Sequence, residues 1–159
     1  MPLEVIQERA QRYGFAFETT FYPINEEIKG NINCFYCALR RRTALIKMAF
    51  RTGHNKITLG HHLDDLVETL LMNMFHHGNI STMAPRVEFF DGQLSLVRPL
   101  ATVLEDETRA YAASQQFVDP ACRCPGKMAF VRRDTKAFIA ELERHVPDVK
   151  RNLYRVLSR

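Results

Sequence analysis

Residues 56–76 read KITLGHHLDDLVETLLMNMFH, and the reading of this stretch decides the fold. The first four residues are a short apolar strand. From residue 62 the pattern changes. Leu63, Leu66, Val67, Leu70, Leu71, Met74 and Phe75 recur at the i, i+3, i+4, i+7 spacing of one helix face. The period therefore switches from strand to helix across Gly60-His61-His62, a strand-to-helix turn. Helix and strand alternate on both sides of it, as they do in an α/β sheet, and such sheets bind ligands beyond the C-terminal ends of their strands.

Working outward, Leu3, Ile6 and Ala10 share one face of a helix over 3–13 that Gly14 ends. FAFETTFYPI (15–24) reads as a strand, because it is aromatic-rich and partly alternating. A helix over 38–52 turns Ala38, Leu45, Ile46, Ala49 and Phe50 inward. VEFFDGQLSLVRPL (87–100) reads as a hairpin about Asp91-Gly92. The helix expected over 103–116 opens with Glu105, Asp106 and Glu107, where the helix dipole favours negative charge. Two helices close the chain, over 128–145 and 147–157, with Pro147 in the first turn of the second. The division expected is an α/β domain over 1–120, then a cysteine loop and helices over 121–159.

The 159 residues suit one folded core, and 46% hydrophobic with 25% charged composition excludes a disordered chain. No apolar run reaches the roughly 20 residues of a membrane span, and the N-terminus lacks the apolar core of a signal peptide. A cytoplasmic protein is expected, without a membrane partner. The four cysteines then serve something other than structural disulfides. A net charge of +4 permits a nucleic-acid partner without demanding one.

Three clusters carry chemistry. His61, His62, Asp64 and Asp65 crowd the strand-to-helix turn, where a histidine can bond a phosphate or base and a carboxylate can hold Mg²⁺. Acidic residues there also stabilise the helix start, by about 0.3–1 kcal/mol each. Cys34-x-x-Cys37 precedes a helix, a position that lowers thiol pKa, and Cys122-x-Cys124 sits in a Pro-flanked loop. Four cysteines in two close pairs suit a metal or a cluster, held on three thiolates or on four. Arg40, Arg41 and Arg42 follow the first pair, and Arg132 and Arg133 follow the second, as a phosphate backbone would require.

The combination of CFYCALRRR, GHHLDDLVET and VRPL resembles the tRNA 2-thiocytidine synthetase group of the PP-loop ATP pyrophosphatases, from about residue 3 to the C-terminus and most strongly over 34–110. Lysidine synthetase belongs to the same superfamily. The resemblance implies an adenine-nucleotide alpha-hydrolase-like (Rossmann-like) parallel sheet. It also implies a reaction in two parts. ATP with Mg²⁺ adenylates the C2 oxygen of a tRNA pyrimidine, and sulfur from a donor then replaces that oxygen. It implies a [4Fe–4S] cluster on Cys34, Cys37 and a third cysteine, Cys122 first and Cys124 second. The group's usual CxxCG is CxCPG here. It places Gly60, His61, His62, Asp64 and Asp65 along the nucleotide crevice.

The group's phosphate-cradling SGGxDS loop is absent from the 159 residues, whose seven glycines are nowhere adjacent. The expectation is therefore a sheet lacking its first strand, a chain inactive alone, and dimerisation or an unusual arrangement near strand 56–60. A zinc-binding RNA module and a lysidine-synthetase-like fragment are the alternatives.

Overall fold

The computed structural model describes residues 3–21, 34–117 and 128–157. The elements in chain order are α1 (Leu3–Arg12), α2 (Cys34–Arg51), β1 (Lys56–Thr58), α3 (Leu63–His77), β2 (Arg86–Phe89), β3 (Leu94–Val97), α4 (Glu105–Ser114), α5 (Met128–His145) and α6 (Val149–Leu157). The strand order is β1-β3-β2. β1 lies parallel to β3, with Ile57 opposite Leu96, and α3 is the crossover between them. β2 returns antiparallel to β3 through the expected hairpin, where Phe90, Asp91 and Gly92 all take positive φ. The fold is α/β, as the alternation of periods implies.

Two apolar clusters hold it together. Ala49, Ile57 and Leu94 are buried between α2 and the sheet, with Ile46, Leu59 and Phe89 packed on them. Leu63, Val67 and Leu71 of α3 meet Ile139 of α5, with Leu104, Leu153 and Tyr154 around them. α3 is thus the shared wall between the sheet and the closing helices. Its C-terminus is capped by Gly78 in the left-handed conformation at φ 60°. α1 is tied to the end of α4 by Arg9, whose guanidinium donates to the carbonyls of Gln115 and Gln116 and lies over the Phe117 ring.

Several elements differ from expectation. Residues 15–21 form no strand; a β-rich segment needs a neighbouring strand to pair with. Residues 22–24 of that expected strand lie outside the described residues. α2 begins at Cys34 rather than residue 38, which places both cysteines on its first turn. Of its expected inward face, Ala49 is buried while Ala38, Leu45 and Phe50 are exposed. Phe50 instead meets Phe90 edge-on at 5.4 Å. Pro147 sits in the turn before α6, because Asp148 takes φ 62° and delays the helix start to Val149. The outer edge of β1 carries no strand among the described residues. No described helix is long and apolar enough to cross a membrane.

Candidate functional site

β1 and β3 run parallel, so their C-terminal ends lie side by side, and the turn 59–62 leaves from that point. Its geometry follows from helix capping. His62 is the N-cap of α3: its backbone N–H donates to Asp65 Oδ2 at 3.0 Å, and its Nδ1 accepts from the Asp65 N–H at 3.4 Å. Leu63 N–H donates to the Val103 carbonyl at 2.8 Å, which ties the start of α3 to the turn before α4.

Asp64 and Glu68 do not project into solvent. They are 4% and 3% exposed, beneath α4, α5 and α6. A carboxylate so buried needs donors and counter-charge. Asp64 Oδ2 accepts the Glu105 N–H at 2.7 Å, the first amide of α4. Its Oδ1 lies 2.7 Å from Lys150 Nζ of α6, and that ammonium also meets Glu143 at 2.9 Å. Burial alone would push the Asp64 carboxyl up, but the Lys150 and Glu105 hydrogen bonds hold it below its ordinary 3.8. Lys150 is correspondingly pushed above 10.5: burial opposes its charge, and the bonds to Asp64 and Glu143 prevail. Arg132 of α5 bridges two carboxylates, with Nε donating to Glu68 at 2.5 Å and Nη2 to Asp65. Lys136, one turn further, pairs with Glu105.

His61 and Arg98 make a second, cationic corner. Arg98 follows β3 and is buried; its Nε donates to His61 Nδ1 at 3.2 Å and its Nη1 to the Ala84 carbonyl. An acceptor at Nδ1 makes His61 the neutral tautomer with its proton on Nε2. Burial lowers the His61 pKa below the ordinary 6.5; Asp65 opposes this, and Arg98, Arg132 and His62 reinforce it. The unfolded chain protonates His61 more readily than the folded one. Its contribution to stability is therefore present above 6.5 and lost as pH falls below it. An NMR titration of the His61 ring is expected to report a midpoint below 6.5; a midpoint at or above that value would mean the Arg98 bond does not persist in solution.

An open cavity of about 450 Å³ adjoins the turn, lined by His62, Asp65, Glu68, Glu105, Arg132, Arg133 and Lys136. It joins the N-terminal half of α3 to α5, the helix that follows the second cysteine pair in sequence.

A family model described as a PP-loop domain matches residues 3–121. This chain belongs to the PP-loop family. Beyond the family, it is 40% identical to a tRNA-cytidine(32) 2-sulfurtransferase from Geobacter metallireducens, over 98% of this chain and 63% of that protein. It is 32% identical to a protein of the same name from Burkholderia lata, over 99% of this chain and 50% of that one. The PP-loop chain thus spans less than two thirds of these relatives. Among solved structures, the U34-tRNA thiolase NcsA from Methanococcus maripaludis with its [4Fe-4S] cluster superposes at a TM-score of 0.75. That match has 21% identity and covers 98% of this chain and 56% of that one. It shows that the fold is shared.

The PP-loop chain brings together some of the residues singled out in its sequence and disperses others. Gly60, His61, His62, Asp64 and Asp65 gather at one strand-to-helix turn. Cys34 and Cys37 open α2. Cys122 and Cys124 lie outside the described residues. Arg41 is exposed, Arg42 donates to the Ala38 carbonyl and adds its charge to Arg98, and Arg40 lies 4.7 Å from the Tyr36 ring. Arg133 is exposed, whereas Arg132 is engaged by carboxylates. Sequence reading missed Lys150, Glu105, Lys136 and Arg98. A usable signal was there: acidic positions on a helix buried on several sides demand counter-charge, and the closing helices are basic.

Proposed function

We propose that this PP-loop chain carries part of an ATP-dependent tRNA thiolation enzyme. ATP adenylates the C2 oxygen of a tRNA pyrimidine with loss of pyrophosphate, and sulfide-level sulfur from a donor then bonds C2 as the C2–O bond breaks and the oxygen departs with AMP. The observation that carries this reading is the 40% identity, extending over 98% of the chain, to proteins named tRNA-cytidine(32) 2-sulfurtransferase. The turn supports it. Gly60, His61, His62, Asp64 and Asp65 stand at the strand C-termini, where α/β folds bind nucleotides. Asp65 and His62 line the open cavity and are assigned to ATP and its Mg²⁺, with His61 beside them holding a neutral ring toward the substrate. Asp64 serves from beneath, as the bracket between α3, α4 and α6.

The donor set fits an iron–sulfur group. Cys34 and Cys37 are one helical turn apart on the first turn of α2, with three arginines following. They would hold a [4Fe–4S] cluster with a third thiolate from Cys122 or Cys124. Such a cluster, with one iron free of protein ligands, supplies a site that accepts the incoming sulfur. Arg40, Arg41, Arg42 and Arg133 are assigned to the RNA backbone. The phosphate-cradling loop that this reading requires is not among the 159 residues. The outer edge of β1, which carries no strand among the described residues, is where a further strand would pair.

Anaerobic purification with iron and sulfide reconstitution tests the reading. A brown protein with broad absorbance near ~400 nm, holding iron and sulfide together, is expected. A colourless protein that retains stoichiometric zinc would replace this reading with a non-catalytic RNA-binding one.

A further inference from the structure

A second cleft, of about 280 Å³, lies between the start of α3, the turn after β3, and α6. Leu63, Thr102, Arg151, Tyr154 and Arg155 line it. Leu63 is fully buried and Tyr154 is half-buried against the same apolar cluster, so the floor is rigid and partly aromatic. Arg151 and Arg155 stand one helical turn apart at the rim, both exposed. Residues 149–157 contain Lys150, Arg151 and Arg155 and no acidic residue. Lys150 is turned to Asp64, which leaves the two arginines to face outward.

Their contacts are weak and local. Arg151 reaches the exposed Asp148 at 3.2 Å, and Arg155 reaches the neutral amide of Asn152 at 3.5 Å. Exchanging such contacts for a phosphate costs little. An apolar and aromatic floor accepts a base by stacking, and guanidiniums accept the flanking phosphates through paired N–H donors.

We infer that this cleft receives an unpaired nucleotide of an RNA strand, with the base against Tyr154 and Leu63 and adjacent phosphates on Arg151 and Arg155. The inference rests on the tRNA reading above and adds α6 to the RNA-contacting face. Unpaired RNA is the occupant that the charge and the floor select together: the two arginines face outward to take phosphates, and duplex RNA keeps its bases stacked away from the floor.

Fluorescence anisotropy on the full chain tests it, with a labelled hairpin RNA carrying an unpaired loop and a fully paired duplex of equal length. The double variant Arg151→Gln/Arg155→Gln changes two exposed side chains, and its fold is checked by circular dichroism. It is expected to bind the loop RNA about tenfold more weakly, with a log–log salt slope shallower by about 1.4, which is two single-strand phosphate contacts. Tyr154→Leu is expected to weaken loop binding and spare the duplex, while Tyr154→Phe keeps both. Excess ATP is expected not to displace the loop RNA; displacement would make the cleft a mononucleotide site and overturn the inference. Wild-type chain that binds RNA, with the arginine variant binding equally well at the same slope, overturns this inference and leaves the tRNA reading standing. Wild-type chain that binds neither RNA overturns both.

Discussion

Replacing Lys150 by methionine is expected to lower the stability of the chain by about 3–5 kcal/mol, the usual consequence of removing one partner of a buried ion pair. For a chain of this size that corresponds to a fall in melting temperature on the order of ten degrees. The magnitude follows from what the variant leaves behind. Lys150 is 15% exposed at its side chain and Asp64 is 6% exposed, so water does not replace the missing ammonium. Asp64 would keep the Glu105 amide but lose its counter-charge, and Glu143 would lose its partner as well. The methionine fills the space of the stem, so the loss is electrostatic rather than a cavity. The pH dependence identifies the group. The folded Asp64 pKa lies below 3.8, so its stabilisation is present above that value and disappears as pH falls through the folded one. The folded Lys150 pKa lies above 10.5, so its contribution is present below that value and disappears as pH rises beyond it. Urea unfolding of wild type and Lys150→Met should therefore differ most near neutrality and converge in strong acid. Equal stabilities at pH 7 would show that Asp64 needs no lysine.

Replacing Cys37 by serine is expected to abolish all visible colour and bound iron after anaerobic reconstitution, an all-or-none effect. A hydroxyl at that position does not deprotonate near neutral pH and is a poor ligand for iron in place of a thiolate. Cys37 sits half-buried on the first turn of α2, and serine is well accepted near helix starts. The melting temperature of the iron-free protein is accordingly expected to move by only a degree or two. Full iron content in the serine variant, measured by colorimetric assay, would remove Cys37 from the cluster. An unchanged spectrum with unfolded protein is excluded by circular dichroism on the same sample.

What was legible in the sequence was local. The switch of period at Gly60-His61-His62 gave the strand, the turn and α3, because one face of that helix is apolar along its length. Asp91-Gly92 marked the hairpin, since two consecutive positive φ values demand such residues. The closing helix Met128–His145 matched its expected bounds for the same reason. What failed depended on partners distant in the chain. Residues 15–21 have strand-like composition, and composition supplies no neighbouring strand. Phe50 lies on an apolar face of α2, yet the sheet beneath is too narrow to cover it. The carboxylate partners of Arg132 were out of reach in the same way, since only the packing of α5 on α3 brings Asp65 and Glu68 to it. The burial of Asp64 and Glu68 was not legible because their counter-ions, Arg132 and Lys150, lie sixty-four and eighty-six residues further along the chain.

The cap on α3 has a consequence for where this protein can be divided. The match to the PP-loop model stops at residue 121, which invites a domain boundary there. Charge neutrality draws it elsewhere. Asp64, Asp65 and Glu68 are balanced by Arg132 and Lys150, both beyond that boundary. A polypeptide cut at 121 would carry three neighbouring carboxylates with their counter-ions removed and the apolar face of Ile139 stripped from Leu63, Val67 and Leu71. The span of the PP-loop model and the set of residues that must fold together are therefore not the same length here: the matched domain is balanced, electrostatically, by helices outside that span.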